Sequence, residues 1–212
     1  MNESDSSRQG TDWRELVTVI LLSVTAILTA WTGFQASKWS GAMSISFSQA
    51  STARIEGARL DADANRRLTV QVGLFSQWLA AYQDDDTQLA AFLEDRFPEP
   101  LATAFPVWIA SRPLQNPAAA DSPFDLPEYV VPELVEAEAA DARADAKFAE
   151  ALRNNQRSDN YTVLTIAFAA VLFFGALAGR MSDRRSQWAL LALGIGGCIV
   201  LAGILLAFPK LV

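Results

Sequence analysis

Three stretches of this chain, residues 16–33, 161–179 and 188–208, contain no Asp, Glu, Lys or Arg. Each is about as long as the ~20 residues that a helix needs to cross ~30 Å of hydrocarbon. Hydrocarbon offers no hydrogen bonds, so a lone apolar run must satisfy its own backbone, and the α-helix does this. The stretches therefore predict an all-α, multi-pass integral membrane protein with the lipid bilayer as its first partner. The first stretch has the length of a secretion signal. However, the tail before it carries Glu3, Asp5, Asp12 and Glu15, no clear A-x-A site follows, and helical spacing runs on past Trp39. It reads as an uncleaved anchor.

Arginine sets the orientation. The connection between the second and third stretches holds Arg180, Arg184 and Arg185. Short Arg-rich loops stay on the cytoplasmic side. Arg8 and Arg14, ahead of the first stretch, agree with that placement. The expected layout has a cytoplasmic tail (1–14), a first transmembrane helix (15–35), an extracytoplasmic domain (36–160), a second transmembrane helix (161–179), a cytoplasmic loop (180–187), a third transmembrane helix (188–208) and an extracytoplasmic C-terminus (209–212). Trp13 and Trp188 fall at the inner boundaries, and Trp31, Trp39 and Tyr161 at the outer ones, where amphipathic rings prefer to lie.

The chain of 212 residues has a net charge of −7, and the long segment from 35 to 160 carries 19 acids against 11 bases. An acidic surface repels nucleic acid, so a nucleic-acid partner is set aside. The chain has no His, which removes the commonest general base and the imidazole metal ligand. Its one Cys, Cys198, falls within the third apolar stretch, and with no second Cys an intrachain disulfide is not open to it.

The extracytoplasmic domain reads as a coiled-coil-like helical hairpin with a Pro-rich cap. Residues 36–83 lack proline and repeat small or apolar side chains at helical spacing, with Gly57 and Gly73 as expected bends. Residues 84–131 form the cap and Pro-rich loop. Asp85 and Gln88 suggest a capping box there. Trp78, Phe92, Phe97, Phe105, Trp108, Phe124 and Tyr129 are its expected aromatic core. Residues 132–160 form the return helix. Pro132 suits its first turn, and Val135, Ala139, Ala142, Ala146 and Ala149 repeat at heptad spacing, an expected seam against the outgoing helix.

No catalytic residue stands out. The run Asp84-Asp85-Asp86 lacks the spacing of a calcium loop, and no G-x-S-x-G elbow or phosphate loop occurs. The expectation is a non-enzyme with no cofactor and no metal site. What the sequence does carry is helix-contact chemistry. Gly175 and Gly179 form G-x-x-x-G, and Ala192 with Gly196, and Gly203 with Ala207, are small-x-x-x-small pairs that let helices approach closely. Thr18, Thr25, Thr29 and Thr32 share one face of the first helix. They either bond to carbonyls one turn back and join helices, or line a narrow path through an oligomer.

The segment Trp31-Thr-Gly-Phe34-Gln35-Ala36-Ser-Lys-Trp39 resembles a W-x-x-[FY]-Q-A stretch in a family of uncharacterised bacterial three-helix membrane proteins. There an anchor helix runs into a long outside helix, and a helical, Pro-rich region returns to two closing membrane helices. The resemblance implies this layout and a bacterial inner membrane, and it brings no activity. The expected role is a scaffold or interaction subunit, as a homo-oligomer or with a membrane-protein partner. A homo-oligomeric channel and an envelope sensor acting through a partner stand as alternatives.

Overall fold

The computed structural model describes residues 13–113 and 115–211. Most of the expected tail over 1–14, and the last residue of the expected C-terminus over 209–212, lie outside the described residues. The elements in order are α1 (Trp13–Gln83), α2 (Thr87–Glu94), α3 (Leu101–Ala110), a 3₁₀ turn (Pro123–Asp125), α4 (Pro132–Ala178) and α5 (Arg184–Ala207). Among the described residues there is no strand. Helices α1, α4 and α5 each contain a window long and apolar enough to cross a membrane. The chain divides into two compact units, residues 13–47 with 148–211, and Ser48–Lys147.

The first unit packs the apolar parts of α1, α4 and α5 around Leu21, Trp39, Tyr161, Leu164, Phe168, Val171, Ala178, Leu191, Cys198 and Leu205. Glycines set how closely these helices approach. A Cβ on Gly175 of α4 would lie 2.9 Å from Leu22 Cδ2 of α1, and one on Gly194 of α5 would lie 3.1 Å from Leu21 Cδ2. A Cβ on Gly197 would meet Val171 Cγ2 at 3.3 Å. Each glycine is thus a socket for a branched side chain of the neighbouring helix. In lipid, where apolar burial drives little, such close packing carries helix association.

The second unit is held by a cluster of rings. Trp78, Leu93, Phe97, Leu101, Phe105 and Trp108 are buried, with Phe75, Phe124 and Tyr129 packed against them. Ring pairs meet edge to face, as in Trp78–Phe105 at 4.7 Å and Phe75–Phe124 at 5.6 Å. Each such pair adds about 0.5–1.5 kcal/mol beyond its burial. Trp108 Nε1 donates to the Ala120 carbonyl at 2.9 Å, tying the proline-rich segment to α3. The expected core included Phe92, which is instead 51% exposed, with the Arg96 guanidinium 3.7 Å above its ring. Phe75, absent from the expected aromatic core, is partly buried against the cluster.

Two local expectations, the cap and the seam, are corrected. The N-cap of α2 is Asp86, which accepts from Leu89 N at 3.0 Å, so the cap lies one residue beyond Asp85. Helix α1 is continuous through Gly57 and Gly73. Gly57 lets α1 approach α4, since a Cβ there would lie 3.1 Å from Asp141 Oδ1 and 3.5 Å from the Ala137 carbonyl. The buried alanines of α4 in this unit are Ala137, Ala140 and Ala144, whereas Val135, Ala139, Ala142 and Ala146 are exposed. The seam against α1 is therefore displaced by two residues along the helix, about 200° around it.

The glycine sockets yield a contrast in stability. Gly175→Leu should destabilise the chain by about 1–3 kcal/mol through overpacking against Leu21 and Leu22. Gly203→Ala, where a Cβ meets nothing within 4 Å, should leave the thermal midpoint unchanged or slightly raised. Thermal unfolding of both variants in detergent, followed by circular dichroism, checks this; equal midpoints would contradict the packing described.

Candidate interaction surface

The threonine stripe belongs to the interior of the first unit. Thr18 is 7% exposed, and Thr25 and Thr32 are fully buried. Thr18 Oγ1 donates to the Arg14 carbonyl at 2.8 Å, and Thr29 Oγ1 to the Thr25 carbonyl at 2.8 Å. Thr32 Oγ1 donates to the Thr29 carbonyl and lies 2.9 Å from Thr165 Oγ1 of α4. Thr25 Oγ1 lies 3.6 Å from Cys198 Sγ of α5. The hydroxyls are thus engaged one turn back and across to neighbouring helices. Within one chain, Thr18, Thr25 and Thr32 thus face neighbouring helices, and a path lined by all three would require these helices to part.

One turn further along α1, Gln35 does something the sequence did not announce. It is fully buried, and its amide pairs with the backbone of Leu211: Nε2 donates to the carbonyl at 3.1 Å, and Oε1 accepts from the N–H at 3.0 Å. Tyr161 Oη donates to the Pro209 carbonyl at 3.0 Å, and its ring meets Phe208 edge to face. Ser158 Oγ donates to the Ala36 carbonyl at 2.9 Å. The segment after α5 is therefore clasped to α1 and α4 through its backbone. The signal available in the sequence was a Gln at the edge of an apolar run, where an unpaired amide would be costly.

The small-residue positions divide into two sets. Gly175 is buried against α1, and a Cβ on Gly179 would come to 3.8 Å from Thr18 Cγ2, so this pair serves contacts within the chain. Ala192, Gly196, Gly203 and Ala207 are all exposed, and a Cβ on Gly196 or Gly203 would meet nothing. They lie on the side of α5 away from the buried Leu191, Gly194, Cys198 and Leu205. The inward glycines of α5, Gly194 and Gly197, were not singled out by the spacing rule.

The second unit has the same division on α4. Its inner alanines face Ala50, Ala53, Gly57 and Ala64, the buried small residues of α1 in this unit. Its outer alanines remain uncovered. Beside Ala146, a groove of about 540 Å³ has a floor of Ser48, Thr52 and Ala53, and Glu56 and Arg143 pair across it at 3.0 Å. On the other flank Arg54 reaches Asp141 at 2.9 Å and Asp145 at 2.6 Å. These pairs are half-exposed and contribute little to stability, but they display both signs of charge along the alanine face.

A polar junction closes the far end of this unit. Arg67 donates to the Glu99 carbonyl at 3.1 Å and to Glu133 Oε1, and Gln71 Nε2 donates to the same carbonyl at 2.8 Å. The backbone N–H of Glu133 itself is the largest cause holding its carboxyl below the usual glutamate value; Arg67 adds to this against opposing desolvation. Burial pushes the Tyr129 phenol up despite the nearby Arg67 charge. Among the described residues, no group of three or more Cys, Asp or Glu side chains is arranged to hold a metal ion.

Two outcomes test this geometry. A carboxyl depressed in the folded state contributes stability above its unfolded value, and that contribution is lost as pH falls through the folded value. Unfolding of the wild type should therefore become easier below about pH 4.5, and Glu133→Gln should flatten that part of the pH profile. Separately, Gln35→Leu should lower stability by about 1–3 kcal/mol by stranding the Leu211 N–H and carbonyl. Hydrogen exchange at the Leu211 amide should then rise, and unchanged protection would refute the clasp.

Comparison of the chain with protein-family models, with curated proteins and with solved structures found no match.

Proposed function

We propose that the chain is a non-enzymatic scaffold or interaction subunit of a bacterial inner membrane, assembling with further copies of itself. In this reading α1, α4 and α5 span the bilayer with the N-terminus in the cytoplasm. Residues 48–147 are extracytoplasmic, a coiled-coil-like hairpin of α1 and α4 closed by a Pro-rich cap.

The observation that carries the reading is the second alanine seam. A helix that pairs only once needs one small-residue face. Helix α4 has a buried one at Ala137, Ala140 and Ala144, and an exposed one at Val135, Ala139, Ala142 and Ala146. Heptad spacing suits a helical partner, and alanine permits a short interaxial distance. A second copy fits because it brings the same face. Under two-fold symmetry Arg143 of one copy can meet Glu56 of the other, so the mixed charges along the groove become complementary. The outward Ala192, Gly196, Gly203 and Ala207 of α5 offer a like face at membrane depth. The non-enzymatic part rests on the sequence, which lacks His and any recognisable nucleophile or phosphate motif.

The test is the mass of the assembly in mild detergent, by light scattering after size exclusion and by native mass spectrometry. The wild type should run as a closed oligomer. The double variant Ala142→Glu, Ala146→Glu should run as a monomer with an unchanged helical signal, since both positions are exposed. An oligomer of undiminished mass would remove this face from assembly. A monomeric wild type would sink self-association.

A further inference from the structure

The end of the first unit that holds Trp13 and the turn between α4 and α5 carries two features that self-assembly leaves unused. One is a groove of about 270 Å³ between α1 and α5, walled by Trp13, Val17, Ile20, Val24, Ile195 and Ile199. It lies between two of the helices that are long and apolar enough to cross a membrane. The other is charge. Arg180, Arg184 and Arg185 are exposed and make no ion pair among the described residues. The acid among them, Asp183, is engaged as the N-cap of α5, accepting from Ser186 N at 2.9 Å and Ser186 Oγ at 2.8 Å.

Arg184 and Arg185 occupy the first turn of α5, where the helix dipole favours acids. The local choice runs against secondary structure, and a choice of this kind points to a demand from outside the helix. The groove and the charges adjoin. Arg14, next to Trp13, donates to Gln187 Oε1 of α5 at 3.2 Å, which places the mouth of the groove beside the first turn of α5. From Arg184 to Ile195 the helix rises about 16 Å. One leaflet of hydrocarbon is about 15 Å thick. Trp13, 67% exposed at the mouth, is a ring suited to the headgroup level.

We propose that this end of the protein binds an anionic phospholipid, with one acyl chain in the α1–α5 groove and the headgroup phosphate on Arg184 and Arg185. The occupant follows from charge complementarity: an apolar slot one leaflet deep ends at guanidinium groups that have no carboxylate partner among the described residues. Guanidinium forks bind phosphate oxygens in pairs, which a zwitterionic headgroup also offers, but its choline cation opposes the cluster. The site needs only that α1 and α5 lie in a bilayer, and it stands whether or not the chain self-associates.

The test is native mass spectrometry of the full chain from micelles containing equal phosphatidylglycerol and phosphatidylcholine. The wild type should retain phosphatidylglycerol about tenfold more than phosphatidylcholine. Arg184→Gln with Arg185→Gln should abolish that preference. Ile199→Trp, at a position 67% exposed, should fill the groove and lower retention of both lipids. On the wild type itself, dihexanoyl phosphatidylglycerol should compete poorly with the long-chain lipid. Equal retention of the two lipids by the wild type, or a preference that survives loss of both arginines, would overturn the headgroup site. Undiminished retention by Ile199→Trp, or full competition by the short-chain lipid, would overturn the groove.

Discussion

A polar atom in hydrocarbon has no solvent to turn to, and the first unit, whose helices are long and apolar enough to cross a membrane, meets that constraint within itself. Its threonines bond to carbonyls one turn back, and Thr32 and Thr25 reach Thr165 and Cys198 on the neighbouring helices. Gln35, the one amide buried in the apolar part of α1, is completed by the Leu211 backbone, and Tyr161 by the Pro209 carbonyl. Exchange any of these partners for an apolar group and a buried donor or acceptor is stranded. The glycine sockets at Gly175, Gly194 and Gly197 bring the helices close enough for such bonds to form. Packing and polar satisfaction therefore depend on each other.

The second unit uses different means. Burial of rings is favourable for large aromatic side chains, and Trp78, Phe105 and Trp108 supply the buried area that small residues of α1 and α4 cannot. Alanine and glycine at Gly57, Ala137 and Ala140 contribute proximity instead of bulk. Arg67 joins three segments at once, holding the Glu99 carbonyl and Glu133 while its charge acts on Tyr129. The proline-rich segment before α4 is tied down by contacts of this kind, including the indole bond to Ala120, with a single 3₁₀ turn among its described residues.

Both faces proposed to meet partners share one physical character: they are well formed but unused within the chain. The outer alanines of α4 repeat a geometry that the inner alanines already employ. The arginines of the α4–α5 turn are charges without carboxylate partners among the described residues, set beside an apolar groove. A side chain that has a ready intramolecular partner leaves little to explain, as with the threonine stripe. A side chain that defies its local preference, as Arg184 and Arg185 do at a helix N-terminus, asks for a partner elsewhere.

Much of the architecture was legible in the sequence. Charge-free runs specify long apolar helices, Pro132 marks the start of α4, and proline spacing leaves only a 3₁₀ turn between α3 and α4. These are properties of local composition and of backbone chemistry, so no knowledge of neighbours is required. Which side of each helix faces inward was not legible. Ala137 and Ala139, Gly194 and Gly196, and Phe75 and Phe92 are chemically alike in pairs, and spacing fits both members of each pair. Only the tertiary structure separates them, because burial depends on which surface a neighbouring helix presents and on where a Leu, a ring or a carbonyl already lies. The role of Gln35 was hidden for the same reason: its partner is 176 residues away and is a backbone, which carries no side-chain signature to read.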